Sequence, residues 1–181
     1  EYFRKIGELL QNFLQQYAVD QSRLLGVGIS IPGILNPSGS MITDSHALKL
    51  KSFPCEKISR SIPWDCQFVN DANAAGVAEL RLMEPDSTMA YLSLSNSVGG
   101  AFFLHGQLYE GNNQRSSEFG DIRLYPDGKS CYCGQKGCLD AYCSALVLER
   151  AAGGRLEQFF QKLEQKDPAA EAVWEEYLHA L

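Results

Sequence analysis

The sequence predicts an α/β fold, a mixed sheet of parallel and antiparallel strands with flanking helices. Three observations carry this. A helical pattern over residues 1–18 runs into a short apolar, β-branched stretch that closes at Pro32-Gly33. A second apolar stretch, Cys66–Val69, hands over at Asn70-Asp71 to helix-forming residues. Residues 89–109 then alternate short apolar runs with turns, and helical patterns follow from Leu139 onward.

Each element has its own warrant. Tyr2, Phe3, Ile6, Leu9, Leu10, Phe13, Leu14 and Tyr17 recur at spacings of three and four, opposite Arg4, Lys5, Glu8, Gln11 and Gln15, which predicts an amphipathic helix. Residues 24–31 form a continuous apolar run, expected as a buried strand. Asn36-Pro37-Ser38-Gly39-Ser40 is a turn by composition, with Met41-Ile42-Thr43 a short strand after it. Ala72 to Met83 reads as a helix. Residues 89–94 and 100–104, then 107–109, predict a β-meander. One helix is expected from Leu139 through Ala152, a second across 155–166 and a third across 169–181, with breaks at Gly153-Gly154 and Asp167-Pro168. Trp64 and Trp174 lie outside every motif and are expected to pack.

Composition narrows the function classes. The 181 residues exceed the roughly 100–150 typical of one domain. The chain is 45% hydrophobic and 21% charged, which argues against disorder. Sixteen Lys and Arg against twenty-two Asp and Glu leave a net charge of −6, so nothing here attracts a phosphate backbone or an anionic membrane. No apolar run approaches the ~18 residues of a spanning helix, and no signal-peptide pattern opens the chain, so a cytoplasmic location is expected. It begins at Glu1, without Met and inside a helical pattern, as expected of a piece of a longer protein.

Of six cysteines, three crowd into Cys131-Tyr132-Cys133-Gly134-Gln135-Lys136-Gly137-Cys138. A chain of this size needs no disulfide staples, and such crowding suits a metal held by thiolates. Gly134 and Gly137 favour this, because folding tightly around one ion demands unusual φ angles. The plain alternative is three buried or oxidised cysteines without metal. Cys55, Cys66 and Cys143 read as ordinary buried thiols. Asp71, at the junction of a strand and a helix, also has two readings: a helix N-cap, or a carboxylate aimed at the ligand side of an α/β sheet and kept ionised by the helix dipole.

In this order and at these separations, Ile31-Pro32-Gly33, Asn70-Asp71-Ala72-Asn73-Ala74-Ala75, Glu118-Phe119-Gly120-Asp121 and the cysteine run resemble the ROK family of sugar kinases and sugar-responsive repressors. The resemblance covers about residues 1–150. It implies the actin-like ATPase, ribonuclease H-like fold and a partial ROK domain over 1–181. About 1–90 would end an N-terminal lobe, and about 91–181 would begin a C-terminal lobe carrying a zinc-binding loop. It also implies that Asp71 is the base that takes the proton of a sugar hydroxyl, whose pKa lies far above 7. Asn70 and Glu118 would hydrogen-bond the sugar. His46, near the place of a family Asn, either contacts the sugar or is merely solvated. Cys131, Cys133 and Cys138 would hold a structural Zn²⁺.

The chain departs from the family in two places. The family's fourth zinc ligand is His, whereas Asp121 stands here, ten residues before Cys131, so Asp121 or a water is expected to complete the site. Family kinases carry Gly-Thr-Gly-x-Gly-Gly to cradle ATP phosphates, whereas Ser95-Asn96-Ser97-Val98-Gly99-Gly100 stands here. Ser97, Gly99 and Gly100 retain only a weak claim on nucleotide.

The resemblance therefore leads first to the sugar-binding effector domain of a regulator of the N-acetylglucosamine or xylose repressor kind. Such a protein would have a degenerate nucleotide site, contact DNA only through a segment absent from this chain, and form a homo-oligomer without touching a membrane. The alternatives are a ROK kinase transferring phosphoryl from ATP and Mg²⁺ to a hexose with Asp71 as base, and a zinc-stapled interaction module.

Overall fold

The computed structural model describes residues 2–181, apart from the side chains of Tyr2 and Arg4. Glu1, and the faces of the first helix expected for the Tyr2 and Arg4 side chains, lie outside the described residues. The elements run α1 (Tyr2–Gln16), β1 (Val27–Ile31), β2 (Ile34–Leu35), β3 (Met41–Ser45), β4 (Leu50–Pro54), α2 (Glu56–Ser59), β5 (Cys66–Asn70) and α3 (Asp71–Leu80). They continue as β6 (Met89–Leu94), β7 (Val98–Leu104), β8 (Gln107–Leu108), α4 (Asp140–Cys143), α5 (Ala145–Ala152), α6 (Leu156–Glu164) and α7 (Pro168–Ala180). Two compact units result: residues up to Ala75 with Gly111–Arg115, and Gly76–Glu110 with Ser116–Leu181.

In the first unit β1 pairs in parallel with β5, from Val27 opposite Cys66 to Ile31 opposite Asn70, and β2, β3 and β4 form an antiparallel sheet. Its core is Ile31, Leu35, Ile42, Cys55 and Ile58, with Phe3, Ile6, Phe53 and Phe68 packed against it. The apolar face of α1 is wider than the core it covers. Leu14 is buried, but Leu9, Phe13 and Tyr17 are exposed, the last two as a ring pair 4.8 Å apart.

In the second unit β6, β7 and β8 make the expected meander. Helices α4 to α7 surround Leu139, Tyr142, Cys143, Leu148, Phe159 and Tyr177, and Trp174 stacks on Tyr177 at 5.3 Å. Asp167 caps α7 by accepting from the Ala169 and Ala170 amides, with Pro168 in the first turn. Gly153 closes α5 at φ +85°, a left-handed conformation that glycine adopts without steric cost.

The structure departs from the sequence reading in three places. Parallel and antiparallel pairing both occur, but in separate sheets. The strand expected over 24–31 begins at Val27, and Leu25 is 98% exposed; within the strand only Ile31 is buried, Val27 and Ile29 being half-buried and Gly28 and Ser30 exposed. The helix expected over 139–152 is two, because Ser144 adopts an extended conformation at ψ 151° between α4 and α5. Among the described residues no helix is long and apolar enough to cross a membrane.

Candidate functional site

In the first unit the carboxyl ends of β1 and β5 lie side by side, because Ile31 pairs with Asn70. Ligands of α/β sheets bind at such ends. Asn70 ties the two ends together: its Nδ2 donates to the Gly33 carbonyl at 3.0 Å and its Oδ1 accepts from the Asn73 amide at 2.9 Å. The second bond is an N-cap. Asn70 therefore caps α3, and Asp71 is relieved of the capping role that the sequence alone left open. Asp71 Oδ1 accepts from the adjacent Ala72 amide, at 3.0 Å.

The electrostatics of Asp71 differ from the expectation that the helix dipole keeps it ionised. Burial pushes its carboxyl above the usual range, and the Ala72 and Asp71 amides offset this only in part. Asp71 is nevertheless an exposed residue, so solvent keeps the rise small. A carboxylate with a raised pKa is a stronger base than an ordinary one. His46 heads the turn that leaves β3 and is exposed. Ser45, just before it, is buried and donates from Oγ to the Pro32 carbonyl at 2.5 Å. Ser45, next to His46, and Asn70, next to Asp71, are thus both hydrogen-bonded to the Pro32-Gly33 turn.

The second unit holds the other candidates. Glu118 is exposed and precedes the 3-10 turn Phe119–Asp121, which packs on β7. Gly100 is the residue that lets it do so: a Cβ there would stand 2.6 Å from the Ser117 carbonyl and run into the Phe119 ring. Gly100 thus has a packing reason to be glycine. Ser95-Asn96-Ser97 forms the tip of the β6–β7 hairpin, exposed throughout, with Leu94 paired to Val98. Two donors at this tip are already engaged. The Val98 amide donates to Asp140 Oδ1, and the Ser97 side chain shares a hydrogen bond with the Tyr132 hydroxyl.

The cysteine run folds as expected of a metal loop. The Sγ atoms of Cys131, Cys133 and Cys138 lie within 4.8 Å of one another, and those of Cys133 and Cys138 are 3.6 Å apart. Gly134 and Gly137 take φ +90° and +75° to turn the chain around them. Burial and the neighbouring thiols push the Cys131 thiol up to about 12. Three converging thiols, one of them fully buried, suit a soft divalent metal bound as thiolates. Asp121 is exposed, and its charge is felt at Cys138, but its carboxylate does not join the 4.8 Å group. Of the remaining thiols Cys55 and Cys143 are buried and Cys66 is half-buried.

Sequence reasoning passes over Tyr132 and Asp140. The available signal is their position, one between the first two cysteines and the other two residues after the third. What they touch is decided by the tertiary fold.

A model of the ROK family matches residues 2–181. An N-acetylmannosamine kinase of Vibrio cholerae is 26% identical over 155 residues, covering 81% of this chain and 54% of that protein. The chain thus spans about half the length of the curated relatives it matches. A ROK family glucokinase from Streptomyces griseus, solved with glucose and AMPPNP, superposes with a TM-score of 0.78 at 22% identity, over 97% of this chain and 64% of that one. A ROK family transcriptional regulator, a homologue of the Escherichia coli MLC protein, superposes with a TM-score of 0.71 at 22% identity, over 95% of this chain and 48% of that one. The same fold therefore serves both kinds of protein.

Proposed function

Because the chain belongs to the ROK family, we propose that it is the sugar-binding part of an ATP-dependent sugar kinase acting on a hexose or an N-acylhexosamine. The observation that carries this is the division of labour at the β5–α3 junction: Asn70 caps the helix, which leaves Asp71 with a carboxylate whose pKa burial has raised. As a sugar hydroxyl attacks the terminal phosphoryl group of ATP, Asp71 takes its proton. Asn70 orients Asp71 and the Gly33 turn. Glu118 and His46 supply further hydrogen bonds to sugar hydroxyls. The likeness to the N-acetylmannosamine kinase of Vibrio cholerae supports a kinase over a regulator.

The regulator remains the second reading, and the hairpin favours it. Ser95 and Ser97 place side chains where the family's phosphate loop has glycines, Asn96 stands in place of its Thr, and Ser97 and the Val98 amide have internal partners. Cys131, Cys133 and Cys138 hold a structural Zn²⁺ in either reading, with water as the fourth partner and Asp121 outside the coordination sphere. About residues 1–90 would end one lobe of the domain and about 91–181 begin the next, whereas the compact units divide at Ala75 and Gly76.

Titration calorimetry of the full-length protein with glucose and N-acetylmannosamine tests the sugar site. At least one should bind, and Asp71→Ala should weaken it at least about tenfold, the scale of a lost charged hydrogen bond. No heat with either, or an unchanged affinity in the variant, overturns the reading.

A further inference from the structure

One group in the first unit is left unexplained by the β5–α3 junction. Asp44 lies in β3, and its Oδ1 is buried with no hydrogen-bond partner. A buried carboxylate oxygen without a donor is costly unless a nearby cation compensates it. The cation that faces it is Arg115, whose Nη2 lies 3.9 Å from Asp44 Oδ2. Lys51, in register with Asp44 on β4, makes no ion pair with it among the described residues.

Arg115 belongs to an unusual piece of chain. Gly111–Arg115 clusters with the first unit although the residues on both sides, up to Glu110 and from Ser116, belong to the second. The backbone here is strained: Gln114 in the strap and Ser117 just after it, neither of them glycine, take φ of +59° and +67°. The loop that contains the strap is closed by a long bond from the Ser116 amide to the Glu110 carbonyl, at 3.4 Å. A strained segment persists only where its surroundings over-determine it.

We propose that Asp44 and Arg115 are a positioning pair: their ion pair fastens the strap to β3 and so sets the conformation from which Glu118, three residues later, addresses its ligand. The pair anchors and does not touch the reacting atoms. The part concerning ligand rests on the sugar-binding reading of Glu118; the anchoring itself does not.

Amide hydrogen exchange on the full-length protein, read at Ser116 and Phe119, measures the anchor without any ligand. Arg115 is half-exposed, so its substitution should leave the fold intact. Arg115→Gln, Arg115→Glu and Asp44→Asn should each speed exchange about tenfold, as a locally opened segment does. The double variant Asp44→Asn/Arg115→Gln should be no faster than either single one, because coupled partners are not additive. Arg115→Lys should stay within about threefold of wild type, since it keeps the charge. Exchange unchanged in Arg115→Glu, or effects that simply add in the double variant, overturns the anchor. Glucose affinity is the second readout: the single variants should weaken it about fivefold while Arg115→Lys restores it. Faster exchange with unchanged affinity overturns the positioning role. If the wild type binds no sugar while the exchange pattern holds, the sugar role of Glu118 falls and the anchor stands.

Discussion

The backbone amide of Val98 donates to the Oδ1 of Asp140 at 2.5 Å, which ties the tip of the β6–β7 hairpin to the helix that leaves the cysteine loop. Asp140 is 3% exposed, and burial pushes its carboxyl above the usual range despite the Val98 amide. Two parts of the chain 42 residues apart are thus joined through one buried acceptor.

Removing that acceptor should cost stability. Asp140→Ala leaves the buried Val98 amide without a partner and should lower the unfolding free energy by about 1–3 kcal/mol, whereas Asp140→Asn keeps an acceptor and should cost less. Denaturant unfolding of the two variants checks the order. Equal losses would mean that the charge of Asp140 matters and the bond to Val98 does not.

Asp71 should behave in the opposite way. Its folded pKa is raised above its unfolded value, so its contribution to stability is present below the unfolded pKa and is lost as pH rises through the folded one. At neutral pH the ionised carboxylate, exposed to solvent, adds nothing to the stability of the fold. Asp71→Asn should therefore leave the melting temperature at pH 7 unchanged or higher while sugar affinity falls. Melting curves at pH 7 check this, and a clear drop would assign Asp71 a structural role.

Asn70 should show both a fold and a site effect. Asn70→Ala removes the α3 cap and the tie to Gly33, and should destabilise by roughly 0.5–2 kcal/mol for the cap alone. Asn70→Asp retains the cap acceptor but loses the donor to Gly33, so it should recover part of the stability and little of the sugar affinity. Thermal unfolding alongside sugar titration separates the two.

The pattern of what the sequence reveals follows from range. The β5–α3 junction and the cysteine loop were legible because their chemistry is local: a strand-ending Asn-Asp pair, and three thiols with two glycines between them. Helix α1 was legible by its period, but the exposure of Phe13 and Tyr17 was not, since period reports a face and not what covers it. The split at Ser144, the separation of the sheets, and the partners of Asp140 and Arg115 depend on residues tens of positions away. No local spacing encodes them. The choice of Asn70 over Asp71 as the cap also lay beyond the sequence, because adjacent Asn and Asp both suit that role.

Metal removal should loosen the loop that Asp140 leaves. Purified full-length protein should carry about one equivalent of Zn²⁺, and a strong chelator should remove it and lower the melting temperature, because binding energy in such a loop is folding energy. Asp121→Ala should retain the ion while Cys138→Ser should lose it. Elemental analysis decides this, and a metal-free Asp121→Ala protein would place the carboxylate in the coordination sphere after all.

The account turns on Asp71 as the base in phosphoryl transfer to a sugar, and coupled measurement of ADP release tests it most directly. Full-length protein given ATP, Mg²⁺ and either glucose or N-acetylmannosamine should turn over at about 1 s⁻¹ or faster. Asp71→Asn should lose at least about a hundredfold, the scale of a positioned general base. The wild-type rate should fall as pH drops through an apparent pKa above the ordinary carboxylate value, because only the ionised form accepts a proton. Sugar binding without ADP release from the wild type would contradict the kinase reading and establish the regulator in its place.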